Sequence, residues 1–260
     1  MRNGIAIAGV TVLDAVKYIE GFPVRDGVTK VLRVEKALGG NTANCGIALA
    51  RLDASLPITI LGTAGLDENG DYVMAALGEY PNIDTRFVKR AGLNDTTDVM
   101  TELETKRRTM FSFKDAVNFM DESCFPFASI QSKILHIAYI CDLPALEKPD
   151  AEYGTLLARV MHQAQKEGIE TCCDTASNQD MDFGRCIPPV LKYSDYFIIN
   201  ELEAGYIAGT PLHDAKGVIF SKAREVLAKI RSLGVQKWLV VHSPQAVFAL
   251  DEQNEFHVLP

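Results

Sequence analysis

The residues best suited to chemistry lie in one stretch, Gly39–Leu52, which opens with two glycines and continues through Asn41 and Asn44. The glycines let the backbone turn sharply and let another group approach it closely. Asn41 is predicted to cap the helix that follows, because its side-chain oxygen can accept from free N–H groups of the first turn. The amide of Asn44 offers donors and an acceptor that suit the hydroxyl groups of a small polar ligand. An ordinary capped helix after a tight turn explains the same residues.

A carboxylate, Asp14, comes soon after the apolar run Gly4–Val10. Such a run is typical of a parallel strand that is buried on both faces. Open α/β sheets bind ligands at the carboxyl ends of their strands, so Asp14 is predicted to face a ligand. A loop carboxylate in solvent is the alternative interpretation.

A second polar pair, Asn200 and Glu203, follows the apolar segment Tyr196–Ile199 and starts a predicted helix. An amide and a carboxylate at this spacing can point the same way and hold a hydrated Mg²⁺ beside phosphates, since Mg²⁺ takes few protein ligands. The same spacing also fits a capping box, in which Asn200 caps the helix and Glu203 reaches back. Spacing alone leaves both interpretations open.

Several well-known catalytic motifs do not occur in the sequence. It has no Walker-type phosphate loop, no Gly-x-Gly-x-x-Gly turn, no His-Glu-x-x-His helix and no Gly-x-Ser-x-Gly elbow. Its five histidines are dispersed. His136 lies in an apolar segment and is predicted to be a core residue, whereas His242 ends a predicted strand and is the one histidine expected near a site. Acyl transfer, hydride transfer and zinc chemistry therefore have no support.

Composition narrows the class of protein. The 260 residues carry a net charge of −8, which argues against nucleic acid or an anionic membrane as the main partner. The six cysteines include no Cys-x-x-Cys pair and are predicted to be free thiols in a reducing compartment. The N-terminus has no signal-peptide pattern, and no apolar run is long enough to span a membrane. We expect a cytoplasmic protein.

Alternating strands and helices are predicted to position these residues. The predicted core strands are Gly4–Val10, Pro57–Leu61, Ile134–Ile140, Ile169–Asp174, Tyr196–Ile199 and Gln236–Val241, followed by a hairpin of Ala246–Leu250 and Glu255–Val258. The predicted helices include one near 70–80, Ala151–Glu167 and Ala215–Leu233. This order predicts a mostly parallel sheet with helices on both faces.

Two segments depart from that order. Residues 16–36 are charged and alternate in polarity, and Arg86–Phe113 contains two alternating runs around a charged turn. Both patterns are typical of exposed strands. Together they predict a small β-sheet that covers the site as a lid.

These residues together resemble the ribokinase-like (PfkB) carbohydrate kinases. The resemblance rests on Gly39-Gly40 with Asn44, on Asp14, on the segment Gly65–Gly70, and on Asn200-x-x-Glu203. It implies a three-layer α/β/α core with a mostly parallel central sheet and a small β-sheet lid. The implied core comprises residues 1–15, 37–90 and 115–260, without the C-terminal end that the family has, and the implied lid comprises 16–36 and 91–114.

The resemblance also implies a function, which is ATP-dependent phosphorylation of a sugar hydroxyl. The implied substrate residues are Asp14, Gly39, Gly40, Asn41, Asn44 and Asp142. Asn200 and His242 are expected on the nucleotide side, with Glu203 as the metal ligand. The implied cofactors are ATP and Mg²⁺, with a monovalent cation as a further candidate.

Two departures from the family pattern qualify this interpretation. The turn after Trp238–Val241 reads His242-Ser-Pro-Gln, where the family has a glycine-bearing turn near the nucleotide. The family's Gly-Ala-Gly-Asp segment, which supplies an anion hole and the general base, is expected beyond Pro260. Asp251 and Glu252 lack the accompanying glycines and are not assigned as base.

Two alternatives to a sugar kinase stay open from the sequence. A nucleoside kinase would use the same scaffold, because a nucleoside presents a ribose that carries a base. A non-catalytic sugar- or nucleotide-binding protein is the other alternative if the chain ends at Pro260. The exposed lid strands further suggest a homodimer that pairs through them.

Overall fold

The apolar run near the N-terminus forms the centre of the main sheet in the computed structural model, which describes residues 2–177 and 182–260. Ile5–Gly9 pairs with a parallel strand on each side. Ala6 and Ala8 are fully buried. A strand that is hydrogen-bonded on both edges and covered on both faces reads as a continuous apolar run, as predicted here.

The elements are given in chain order. The first strands are β1 (Ile5–Gly9), β2 (Val12–Ile19), β3 (Val31–Gly39), β4 (Ile58–Ala64), β5 (Ile83–Asp84), β6 (Val88–Arg90), β7 (Asp95–Glu102), β8 (Arg108–Phe113) and β9 (Ile134–Ile140). The later strands are β10 (Pro149–Asp150), β11 (Gly154–Thr155), β12 (Glu170–Thr175), β13 (Tyr196–Asn200), β14 (His213–Asp214), β15 (Gly217–Val218), β16 (Trp238–His242), β17 (Val247–Leu250) and β18 (Phe256–Leu259). The α-helices are α1 (Gly40–Leu52), α2 (Glu68–Gly78), α3 (Leu156–Lys166), α4 (Phe183–Leu191), α5 (Glu201–Ala208) and α6 (Phe220–Arg231). No helix in the described part of the chain has the length and apolar character needed to cross a membrane.

The main sheet has ten strands in the order β18-β17-β16-β13-β12-β9-β1-β4-β5, and β6 pairs with β4 as well. Strands β4, β1, β9, β12, β13 and β16 run parallel. The last two strands form the predicted antiparallel hairpin at one edge. The carboxyl ends of the parallel strands therefore meet at one edge of the sheet, where open α/β sheets bind ligands.

Helices cover the two faces of this sheet unequally. Helices α3 to α6 pack on one face, over a large apolar cluster that includes Phe197, Leu239 and Val241. Helices α1 and α2 pack on the other face, over a smaller cluster that includes Ile7 and Ile60. The predicted three-layer α/β/α arrangement is confirmed.

A separate four-stranded sheet has the order β3-β2-β7-β8. Strands β2 and β7 are parallel neighbours at its centre, and β3 and β8 are its antiparallel edges. The predicted second sheet, here named the lid sheet after its predicted role, is therefore present. Its first two strands, Val12–Ile19 and Val31–Gly39, extend beyond the residues 16–36 that the sequence assigns to the lid. Its other two strands, β7 and β8, lie within the predicted 91–114.

Helix α3 starts later than predicted. Residues Pro149–Asp150 and Gly154–Thr155 pair as a short antiparallel hairpin, so the helix begins at Leu156 rather than Ala151. The side chain of Thr155 caps it by accepting from the backbone N–H of Ala158. A cap and a hairpin are local features that helical periodicity alone does not reveal.

Helix α4 was not predicted, because Pro188 and Pro189 lie inside it. Proline lacks the N–H that the helical ladder needs, so a proline pair ordinarily argues against a helix. Here Asp182 caps the first turn, and Ile187 and Val190 are fully buried. Burial of this apolar face compensates for the lost hydrogen bonds.

Candidate active site

The carboxyl ends of the parallel strands bring together residues that are far apart in the sequence. Strand β9 leads to Asp142, β12 carries Asp174 near its end, and β13 ends at Asn200. Asn200 lies opposite His242, the last residue of β16, in the sheet register. Four of these neighbouring ends thus present polar groups at the same edge.

Asp14 lies beside the two glycines. It is in β2, and a Cβ atom at Gly39 would lie 2.6 Å from its Oδ2. Gly40 has φ +78°, and a Cβ there would lie 2.3 Å from the carbonyl oxygen of Val10. The glycine pair therefore leaves space for a carboxylate on one side and for backbone on the other.

Burial raises the pKa of the Asp14 carboxyl above its ordinary value, and a hydrogen bond with the Thr97 side chain partly offsets that rise. The carboxylate is partly buried at the junction between the lid sheet and α1. Such a group is well placed to accept hydrogen bonds from ligand hydroxyls.

The prediction that Asn41 caps α1 is wrong. The helix begins at Gly40, and Gly39 occupies the cap position without a side-chain hydrogen bond. The side chain of Asn41 is buried, and its Nδ2 donates to the carbonyl oxygen of Ala8 at 2.8 Å. Because β3 runs directly into the helix through the glycines, Asn41 falls inside the first turn, where it holds α1 against β1.

Asn44 lies one turn further along α1 and is exposed at the site. Its side chain makes a hydrogen bond with that of Tyr139, which lies in β9. Burial and the nearby charge of Asp174 raise the pKa of Tyr139. Asn44 therefore belongs to a polar group that spans α1, β9 and β12.

Asp174 is the most strongly perturbed carboxyl group in this cluster. Burial raises its pKa to about 7, and the nearby charge of Glu203 contributes to the rise. Glu203 is itself buried, at 4% exposed. Among residues 2–177 and 182–260, neither carboxylate pairs with a lysine or an arginine.

Asn200 and Glu203 form the capping box that the sequence allows. Asn200 Oδ1 accepts from the backbone N–H groups of Leu202 and Glu203, at 2.9 Å each. Glu203 Oε2 accepts from the backbone N–H of Asn200 at 2.9 Å. Ser177 joins the pair, since its hydroxyl donates to Glu203 Oε1 at 2.6 Å and accepts from Asn200 Nδ2 at 2.7 Å.

The capping box is compatible with a bound metal ion. It fixes the Glu203 carboxylate through one backbone hydrogen bond, and the carboxylate oxygens keep lone pairs that a cation can share. Two facing carboxylates without a cationic partner among the described residues concentrate negative charge at a strand end. A divalent cation held mainly through water would relieve that charge. The donor set of Glu203, Asp174 and Asn200 is all oxygen and amide, which suits Mg²⁺ rather than a softer metal.

Asp142 connects the core to the lid sheet. Its Oδ1 accepts a charged hydrogen bond from the Nζ of Lys114, the residue that follows β8. The Asp142 side chain is 19% exposed. The predicted substrate residue thus already has a cationic partner supplied by the end of a lid strand.

His242 is exposed and lies next to Asn200, at the end of β16. The turn after it is closed by Ser243, whose Oγ accepts from the backbone N–H of Ala246 at 3.0 Å. Asp251 lies away from the strand ends that form the candidate site. It follows β17, which runs antiparallel to β16 and therefore ends beside the start of β16. The Asp251 carboxylate contacts Nε2 of His257 at 2.7 Å.

Sequence reasoning did not identify three residues that belong to the site. Tyr139 and Thr97 contact predicted residues through their side chains, and Asp174 faces Glu203. Asp174 had a usable signal, because it is a carboxylate at the end of a predicted buried strand. Tyr139 and Thr97 had none, since an aromatic residue and a threonine are common in strands.

Comparison with known proteins identifies the family to which the chain belongs. A model of the pfkB family of carbohydrate kinases matches residues 2–260. The ribokinase of Giardia lamblia is similar at 20% identity and a TM-score of 0.78, over 99% of this chain and 76% of that one. Arabidopsis thaliana ribokinase, solved with ribose and ATP, is similar at 16% identity and a TM-score of 0.77, over 100% and 78%.

A fructokinase from Xylella fastidiosa with bound ATP is similar at 18% identity and a TM-score of 0.73, over 100% of this chain and 78% of that one. At these identities the structural likeness establishes the ribokinase-like fold alone. The family model, in contrast, matches residues 2–260, which is nearly the whole sequence. The chain therefore belongs to the pfkB family of carbohydrate kinases.

Proposed function

We propose that this protein transfers the γ-phosphoryl group of ATP to a hydroxyl of a sugar. The observation that carries the proposal is that two sets of groups meet at one sheet edge. Asp14, Gly39 and Asn44 form a polar set, and the partly buried Asp174 and the buried Glu203 form an acidic set. Tyr139 lies between the sets, since it makes a hydrogen bond with Asn44, and burial together with the charges of Asp174 and Glu203 raises its pKa. The first set suits a sugar, and the second suits the metal that accompanies phosphates.

In this proposal the sugar lies between the strand ends and the second sheet. Asp14 and Asn44 bind its hydroxyls, and the glycine pair lets the sugar approach the backbone. Asn41 contributes by holding α1 in position through Ala8, and Asp142 contributes a further acceptor from the core side. The second sheet acts as the lid, which excludes water that would otherwise hydrolyse ATP.

The nucleotide lies on the other side of the site, near Asn200 and His242. Glu203 would hold Mg²⁺, and Asn200, which caps α5, would keep the N-terminus of that helix in place near the phosphates. Mg²⁺ supplies charge neutralisation for the phosphoryl group. The Arabidopsis ribokinase was solved with ribose and ATP, which supports a sugar and ATP as the two ligands.

The test combines binding with turnover. We expect calorimetry to detect binding of one member of a panel of pentoses, hexoses and nucleosides, and of ATP with Mg²⁺. ADP release coupled to a phosphorylated product would support the kinase. Binding without phosphate transfer would favour a non-catalytic binding protein, and no binding of any panel member would contradict both functions.

One observation favours a nucleoside as the second candidate substrate. On the face of the lid sheet that contains Asp14, the strand register places Val16, Val99 and Met110 side by side. Val16 lies two residues after Asp14 on the same strand. Residues two apart on a strand are about 7 Å apart, so this apolar row lies one sugar-width from Asp14. Met110 is 57% exposed there. A nucleoside base would cover it, and tighter binding of nucleosides than of free ribose would support that substrate class.

We further propose that the lid sheet pairs two copies of the chain. The face opposite Asp14 carries Val34, Phe111 and Phe113, which are 57%, 56% and 48% exposed. The edges β3 and β8 have no further strand partner among the described residues. Analytical ultracentrifugation would detect the dimer, and replacing Phe111 with a charged residue should dissociate it.

A further inference from the structure

A polar row crosses the lid sheet at the level of Asp14. In the strand register, Ala37 of β3 lies beside Asp14, Asp14 lies beside Thr97 of β7, and Thr97 lies beside Ser112 of β8. Laterally paired residues project to the same face of a sheet, and successive residues alternate between faces. The carboxylate and the two hydroxyls are therefore neighbours on one face.

Hydrogen bonds connect the row. The Thr97 side chain makes a hydrogen bond with the Asp14 carboxylate. Thr97 Oγ1 also lies 3.4 Å from Ser112 Oγ. A carboxylate can only accept, so the Thr97 hydroxyl donates to Asp14 and its oxygen is left to accept from Ser112. Donors thus point along the row toward Asp14.

Asp14 is confined on its other side by Gly39, where a Cβ would lie 2.6 Å from Oδ2. Thr97 is 9% exposed, so its hydroxyl has little water with which to exchange its partner. A buried hydroxyl that donates to a partly buried carboxylate stabilises the ionised form and restricts its orientation.

We propose that Thr97 is a positioning residue, which holds Asp14 ionised and oriented toward the substrate hydroxyls, and that Ser112 in turn orients Thr97. The inference rests on the proposed role of Asp14 as a substrate ligand. It adds that the two central lid strands and the edge strand β8 together set the state of that ligand. Displacement of β7 or β8 would therefore change substrate affinity without any direct contact.

Other ionisable groups on this face lie further along the strands. Glu35 is one row from Asp14, and Tyr18, Arg33 and Arg108 are two rows away in the register. Arg33 stacks on the Tyr18 ring, and Tyr18 donates to Glu35, so these three groups are occupied with one another. The first turn of α1 contributes no acidic residue. Thr97 is thus the polar side chain nearest to Asp14 in the lid.

The test compares Thr97→Val, Thr97→Ser and Ser112→Ala with the wild-type chain. Carbon-detected NMR follows the Asp14 carboxyl through a pH titration, with Asp14→Asn to assign the signal. Thr97→Val should raise the Asp14 titration midpoint by about one pH unit, and Thr97→Ser should restore it. Ser112→Ala should produce a smaller shift in the same direction.

Substrate affinity provides the second measurement. Thr97→Val should weaken binding of the best panel ligand by about tenfold, and more at acidic than at alkaline pH, because Asp14 is then protonated over a wider range.

A Thr97→Val variant with an unchanged Asp14 titration would overturn the inference even if substrate binding persisted. If the wild-type chain bound no sugar or nucleoside, the proposed function would fall, and the NMR titration would still decide whether Thr97 controls the ionisation of Asp14. Should Thr97→Val fail to fold, equal titration midpoints in Thr97→Ser, Ser112→Ala and the wild type would overturn the inference, and a raised midpoint in Ser112→Ala alone would support it.

Discussion

The Asp14 carboxylate occupies the space that a side chain at Gly39 would need. A Cβ atom at Gly39 would lie 2.6 Å from Oδ2 and 3.1 Å from Cγ of Asp14. Gly39 itself has an extended backbone, with φ −128° and ψ −173°. Any residue could adopt the backbone conformation of Gly39, but only glycine leaves space for the Asp14 carboxylate beside it. A substitution at Gly39 therefore tests the role of Asp14.

Gly39→Ala should displace the Asp14 side chain while leaving the fold intact. We expect substrate affinity to fall by about tenfold, whereas the free energy of unfolding should change by less than about 1 kcal/mol. Calorimetry and thermal denaturation would measure the two effects. Gly78→Ala is the matched control, because a Cβ there meets nothing within 4 Å and the residue is helical. Equal affinities in the two variants would contradict a role for Asp14 in binding.

Asn44→Ala should weaken substrate binding without destabilising α1. The residue is exposed, and alanine has a higher helix propensity than asparagine. Loss of its hydrogen bonds to the ligand should cost about 1 kcal/mol or more, which calorimetry detects as a several-fold rise in Kd. Asn118→Ala, at another exposed asparagine outside the site, is the control. Unchanged substrate affinity in Asn44→Ala would contradict a binding role for Asn44 and would favour the interpretation of Gly39–Leu52 as an ordinary helix after a tight turn.

Two substitutions at Asn200 separate its capping role from its proposed nucleotide role. Asn200→Ala removes the acceptor for the N–H groups of Leu202 and Glu203 and should lower the free energy of unfolding by about 1 kcal/mol. Asn200→Ser keeps a good cap and should leave stability near that of the wild type. If Asn200 serves the nucleotide, both variants should bind ATP with Mg²⁺ more weakly. Wild-type nucleotide affinity in Asn200→Ser would assign Asn200 to the cap alone.

The partly buried carboxyl of Asp174 should make the free energy of unfolding depend on pH. Its pKa is raised from 3.8 to about 7, so the native state keeps a proton that the unfolded chain releases. The stabilisation that this retained proton provides is complete when the pH is below the ordinary pKa of 3.8, and it is lost as the pH rises through about 7. Relative to the wild type, Asp174→Asn should therefore become more stable as the pH rises, by at most about 1.4 kcal/mol per pH unit. Denaturant unfolding without divalent cations would measure this difference.

His136 provides the control of opposite sign. Burial lowers its pKa from 6.5 to about 4, so the unfolded chain takes up a proton first and stability is lost as the pH falls. Relative to the wild type, His136→Gln should become more stable toward acidic pH. A difference that grew in the same direction for both variants would contradict the assignment of Asp174.

The amino-acid sequence by itself determined the elements and their order. Apolar runs such as Ile5–Gly9 predict buried parallel strands, and their alternation with helices predicts the layered core. The capping box of Asn200 and Glu203 is likewise readable, because its hydrogen bonds join residues within one helical turn. These features depend on neighbours along the chain, so the chain's own pattern contains the information.

Only the tertiary structure decided which side chains meet at the site. Asn41 donates to Ala8, 33 residues away, and Thr97 reaches Asp14 through a parallel strand pairing. The register of that pairing comes from packing of the entire lid sheet, and a shift of one residue would turn Thr97 to the opposite face. The pKa of Asp174 likewise depends on burial beneath α1 and on the position of Glu203, which no local pattern encodes. Long-range pairing and burial, rather than residue type, therefore decided the chemistry of this site.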